Sequence, residues 1–171
     1  KLINQKAHLY QRHLETLEKL PIYPGLEDLI FKLRVAKLPM GVVTGAIRSE
    51  VELVLNQVNL AQHFEAIVTE DDLTASKPEP DGYLLAVEKF NQLHPELKLQ
   101  PSECLAIEDT FAGITAAKQA GMQVVGVANS YPFHMLQRQT NWTVDYLSDL
   151  EVERVQQVYS QQQPSDTSAL I

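Results

Sequence analysis

One cysteine, Cys104, is all that 171 residues contain. A lone thiol excludes an internal disulfide framework and a cysteine-based zinc cluster. Its place at the start of an apolar run reads as a buried structural thiol. Positive charge is also scarce: 14 Lys and Arg face 22 Asp and Glu, for a formal net charge of -8. That excludes the broad positive field that grips a phosphate backbone, so no nucleic acid partner is expected and an anionic ligand needs a local cation. Long apolar runs are missing as well. No stretch reaches the roughly 18 uninterrupted apolar residues of a membrane span, and the first residues carry no signal-peptide pattern. The expectation is a cytoplasmic protein with no membrane association. Five histidines, His8, His13, His63, His94 and His134, lack ligand spacing and receive no metal role.

What is present is a regular alternation of periods. The 44% hydrophobic content supports a real core, and the length fits one domain with an appendage. Residues 2–20 carry Leu2, Leu9, Leu14, Leu17 and Leu20 among polar residues, the pattern of an amphipathic helix. "PIYPG" at 21–25 breaks it, because two prolines constrain the backbone and Gly25 frees it. Helix patterns follow from Leu26, Ser49, Asp81 and Ala112, the last stopping at Gly121. Between them lie short apolar runs: "MGVVT", "AIVTE", "CLAIED" and "VVGVAN". Short buried strands alternating with helices predict an α/β, doubly wound parallel sheet. "VDYLSDLEVERV" supplies a short edge strand and a final helix, and the polar "QQQPSDTSAL" a disordered tail.

In such a sheet the ligand crevice lies beyond the carboxyl ends of the strands. The residues there are Thr44 and Gly45, then Thr69 to Asp72 with Lys77 soon after, then Glu108 and Asp109, then Asn129 and Ser130. A hydroxyl, a lysine and a carboxylate pair on one rim suit a phosphate and a divalent cation. The hydroxyl and backbone N–H groups donate to phosphate oxygens, the ammonium offsets charge, and a hard oxygen-seeking cation such as Mg2+ takes the carboxylates. Each feature has an ordinary reading too. Thr-Gly after a strand is common turn chemistry, Lys77 suits a solvated loop, and Thr110 could cap a helix behind a solvated acidic pair. Against these stand the loop stiffened by Pro78 after Lys77, and the electrostatic cost of ending an apolar strand on two like charges. Arg48 reads either as a surface-helix arginine or as an arm toward an anionic substrate.

"VVTGA", "SKPEPDGYLLA" and "IEDTFAGITAAKQAGM" resemble the second, third and fourth motifs of the haloacid dehalogenase-like hydrolases. The nearest branch is the magnesium-dependent one of β-phosphoglucomutases and small phosphosugar or phosphoglycolate phosphatases. "PIYPGLEDLIFKL" resembles the linker by which a helical cap returns to the core. The resemblance implies a Rossmann-like hydrolase core over 22–150, the end of a helical cap over 1–21, and a C-terminal helix and tail over 151–171. It also implies that Thr44 and the Gly45 backbone bind the phosphoryl group and that Lys77 neutralises it. Asp109 binds Mg2+, with Glu108 beside it as a ligand or as an orienter. The substrate is a small phosphorylated metabolite whose identity the cap selects, and the protein a monomer or weak dimer.

The family's first motif, a strand ending in Asp-x-Asp, supplies the nucleophile that becomes an aspartyl phosphate. No residue of this sequence matches it. The family places that strand between those represented here by "MGVVT" and "CLAIE", so a gap is expected in the middle of the sheet. The expectation is a magnesium-dependent phosphatase in the intact protein and no turnover by these 171 residues alone. N-terminal truncation, a strand from a second polypeptide and a non-catalytic phospho-ligand-binding module are the competing accounts of the gap. A phosphosugar mutase is the rival chemistry, and a flavodoxin-like or receiver-type domain the rival fold.

Overall fold

A computed structural model describes residues 22–162. The segment expected to form the first helix, and the tail beyond 162, lie outside the described residues, as does the boundary at 21. The elements run α1 (Leu26–Val35), β1 (Gly41–Val43), α2 (Arg48–Gln57), β2 (Ala66–Val68), α3 (Asp81–Leu93), β3 (Leu105–Glu108), α4 (Phe111–Gln119), β4 (Gln123–Val127), α5 (Phe133–Leu136), β5 (Trp142–Val144) and α6 (Val152–Gln162). All strand pairs are parallel, as alternating strands and helices require. No described helix is long and apolar enough to cross a membrane.

The described strands form two sheets instead of one. β1 pairs with β2, and β3, β4 and β5 form a separate three-stranded sheet. Among the described residues no ladder joins β1 to β3, and the break falls where the sequence predicts a gap. α3 bridges the two halves, packing on β1 and β2 and against α4. It can come close to β1 because position 82 is glycine: a Cβ there would stand 2.9 Å from Val43 Cγ1.

Alternation along the three-stranded sheet builds a core on each face. Ala106 and Val124 point to one side, where Tyr83 and Val87 of α3, Ile114, Ala116 and Ala117 of α4, and Leu136 of α5 cover them. Leu105, Ile107, Val125 and Val127 point to the other, under Leu29 of α1 and Val152 and Val155 of α6. Small residues on the inner face of α4 let it lie close to β4, which is why "AGITAA" reads as a helix on a sheet. The β1–β2 half is less enclosed: Val42 and Val43 are only half-buried and Gly41 is exposed.

The expectations hold to within a residue or two for α1 to α4 and β1 to β4. Two features differ. α5 is a single turn after Pro132 with too few residues to show a period. β5 also precedes the predicted edge strand: "VDYL" begins where β5 is ending, and Leu147–Asp149 form a short 3-10 turn. Cys104 is half-buried instead of fully buried. Its Sγ donates to the Gln100 carbonyl at 3.5 Å, and burial, then the charge of Glu103, pushes the thiol up to about 11. A thiol held protonated in this way is a poor nucleophile, consistent with a structural residue.

Candidate active site

The carboxyl ends of β1 and β3 face each other across the break between the sheets, and Lys77 spans it. Its Nζ donates to the Val43 carbonyl at 3.1 Å and also to Glu108 Oε1. One ammonium thus satisfies a carbonyl at the end of β1 and a carboxylate at the end of β3. The Nζ also lies 5.3 Å from the centre of the Tyr83 ring, within cation–π range.

Thr44 follows β1 directly. Its N–H continues the parallel ladder by donating to Val68 O at 3.0 Å, and its Oγ1 accepts from Ala46 N at 3.1 Å. The hydroxyl oxygen therefore braces the turn while its proton remains available to an acceptor in the cleft. Gly45 beside it is exposed and overlooked by the Glu70 carboxylate, which Ser76 Oγ holds from the other side. Thr44, Gly45, Lys77, Gly82 and Tyr83 line one pocket of about 340 Å³.

The acidic pair is divided between two environments. Glu108 is only 8% exposed and faces inward, where Lys77 and the buried hydroxyl of Tyr83 both donate to its Oε1. Its carboxylate occupies the space above Gly113, where no side chain would fit. Asp109, one residue on, turns to the rim. Its Oδ2 accepts from Tyr23 Oη at 3.0 Å and from Ser130 Oγ, while Asn129 Nδ2 donates to the same Tyr23 oxygen. Partial burial, then the Asp109 hydrogen bond and charge, push the Tyr23 phenol up to about 12. Thr110 then caps α4 by accepting from Gly113 N at 3.1 Å. The strand end and the helix start are thereby fixed relative to each other.

The rim beside β2 has a different use. Thr69 is fully buried, and Asp72 Oδ2 accepts from its N–H at 2.9 Å and its Oγ1 at 3.1 Å. Arg48 Nη2 reaches the same oxygen at 2.6 Å, with Lys89 Nζ 3.8 Å away. The Thr69 backbone bond chiefly holds the Asp72 carboxyl below its usual range. Asp71 meanwhile accepts from the first N–H of α2, at Arg48, at 2.6 Å. Arg48 is thus paired with Asp72 at the surface of α2. His94 lies far from this rim, paired with Glu65 at the start of β2, and that bond raises its pKa.

The structure thus brings Thr44, Gly45, Lys77, Glu108 and Asp109 to one rim. It adds two residues that the sequence reading does not assign, Tyr23 and Tyr83. Neither has a signal in spacing, since Tyr23 meets Asp109 across 86 residues and Tyr83 meets Glu108 across 25.

This parallel α/β domain, with a hydroxyl-glycine turn, a lysine and an acidic pair at its strand ends, belongs to the Rossmann-like hydrolase folds. A family model of the haloacid dehalogenase-like hydrolases matches residues 1–127, and the chain belongs to that family. It is 30% identical over 163 residues to the β-phosphoglucomutase of Bacillus subtilis, an alignment covering 94% of this chain and 65% of the relative. It is 34% identical over 114 residues to the fructose-1-phosphate phosphatase of Escherichia coli, covering 67% and 54% respectively. The crystal structure of a β-phosphoglucomutase from Clostridium difficile superposes with a TM-score of 0.77 at 25% identity, covering 92% of this chain and 65% of that one. The chain spans about half to two thirds of the length of these relatives.

Proposed function

We propose that the intact protein is a Mg2+-dependent phosphatase of small phosphomonoesters, of the sugar phosphate or phosphoglycolate type. The observation that carries this reading is Lys77, which joins the end of β1 to the end of β3 beside Thr44 on one side and Asp109 on the other. A phosphoryl group entering there meets the Thr44 hydroxyl and the Gly45 N–H as donors, with the Lys77 ammonium balancing its charge.

Among the described residues no three His, Cys, Asp or Glu side chains stand close enough to make a closed metal site. Mg2+ keeps several waters and binds through one or two carboxylates plus substrate phosphate oxygens. Asp109, whose Oδ2 accepts from the hydroxyls of Tyr23 and Ser130, is the carboxylate that would hold it, with Glu108 behind. The metal would supply charge stabilisation to the transferring group. The family's aspartyl nucleophile has no counterpart in this sequence, so the 171 residues alone are expected to bind without turning over.

The test is phosphate release by the full-length protein from a panel of sugar phosphates and phosphoglycolate, with Mg2+ and with EDTA. No release from any substrate would falsify the reading. The alignment to a β-phosphoglucomutase over nearly the whole chain favours a second chemistry, transfer back to sugar. Phosphate appearing on another hydroxyl instead of in solution would identify a mutase.

A further inference from the structure

Tyr83 has an ordinary explanation and a functional one, and its surroundings separate them. As the third residue of α3 it is 7% exposed, and its ring packs in the core with Val87 and Ile114. A phenylalanine would fill that space equally well. The hydroxyl is the part that packing does not require, and burying it is unfavourable without a partner. Its partner is Glu108 Oε1, the same atom that receives Lys77. Burial, then the Glu108 charge, pushes the phenol far above its usual range.

Two donors converge on this atom, in a residue that is almost entirely buried. Gly113 leaves room for the carboxylate below it, Tyr83 fixes one donor, and Lys77 is the other. The far side of the ammonium is held by Val43 O, and its flank lies against the Tyr83 ring. Glu108 therefore cannot rotate toward the rim without abandoning a buried phenol, and Lys77 keeps a fixed counter-ion. We propose that Tyr83 is a positioning residue for Lys77, acting through Glu108: its hydroxyl locks Glu108 as the anchor of the lysine and leaves Asp109 as the carboxylate offered to a cation. This rests on the reading above only in taking Lys77 as the phosphate-binding cation.

The experiment measures inorganic phosphate binding by calorimetry, with Mg2+ present, in full-length wild-type, Tyr83→Phe, Lys77→Met and doubly substituted proteins. Activity and thermal unfolding are recorded alongside. Tyr83→Phe should leave a folded protein that binds phosphate about tenfold more weakly, in line with the loss of a side chain that orients a ligand. In the Lys77→Met background the same change should have no further effect, because there is no ammonium left to position. Equal phosphate affinity in wild type and Tyr83→Phe overturns the proposal. So does an effect of undiminished size in the Lys77→Met background, or a Tyr83→Phe protein that fails to fold, since either makes the hydroxyl structural. A wild type that binds phosphate through Lys77 but hydrolyses nothing sinks the phosphatase reading and leaves this one standing. A wild type that hydrolyses phosphomonoesters while Tyr83→Phe is unaffected does the reverse, and a wild type that neither binds phosphate nor hydrolyses any substrate sinks both.

Discussion

Glu108 and Gly113 occupy the same small volume at the start of α4: the carboxylate lies where a side chain at 113 would begin. The last residue of β3 can be buried and charged because the helix that follows offers an indentation instead of a methyl group. Gly113→Ala should therefore act on the site as well as on the fold. Overpacking here is expected to destabilise by about 1–3 kcal/mol. If the added methyl expels Glu108, Lys77 loses its counter-ion and phosphate affinity falls with it. Urea unfolding beside phosphate titration checks both. A variant that is destabilised yet binds phosphate normally would show that Glu108 does not hold Lys77.

Asp109→Asn separates charge from hydrogen bonding. The amide oxygen still accepts from Tyr23 and Ser130, so the segment before α1 and the β4 end stay attached and the melting temperature should change little. The carboxylate charge is gone, and with it the best hard ligand on the rim. The expected result is a loss of Mg2+-dependent activity in the full-length protein, on the order of 100-fold. Calorimetric Mg2+ affinity is the direct check. Unchanged affinity would move the metal carboxylate elsewhere.

Leu136 tests the less regular part of the fold. It is fully buried in a four-residue helix, with its Cβ 3.3 Å from where a Cβ at Gly126 would be. Gly126 is itself crowded by Thr140, at 2.9 Å from that position, so this corner has little freedom to collapse into a new cavity. Leu136→Ala should cost about 2–5 kcal/mol. Chemical denaturation gives the value, and a loss below 1 kcal/mol would mean the corner relaxes.

How much of this was legible follows from the range of each interaction. α3 could be read because thirteen residues carry a clear helical period, and the rim could be read because strand ends are where periodicity stops. α5 and β5 could not. One turn has no period, and β5 is set by tertiary register, with Val125 opposite Trp142 and Gly126 opposite Thr143. At the site, Thr44, Lys77, Glu108 and Asp109 stand out as polar residues closing apolar runs or preceding a proline. What the sequence conceals is the inward turn of Glu108 and the outward turn of Asp109. Alternation along a strand makes the two point apart, but their partners Tyr83 and Tyr23 come from a helix and from the turn before α1, whose placement no local pattern encodes.

Asp72 offers a pH signature that separates loop architecture from catalysis. Its Oδ2 accepts two bonds from Thr69 and one from Arg48, and the Thr69 backbone bond is the main reason its carboxyl sits below the ordinary value. A folded-state pKa depressed below the unfolded one means the native state prefers the ionised group. Its stabilisation is complete above the ordinary carboxyl range and disappears as pH falls through the lowered folded value. Asp72→Asn should therefore destabilise at neutral pH by about 1 kcal/mol, the scale of a lost cap. The gap between wild type and variant should close as pH drops below about 4. Thermal melts from pH 7 down to pH 3 decide the point. A gap that stays constant with pH would mean Asp72 contributes through packing and not through its charge.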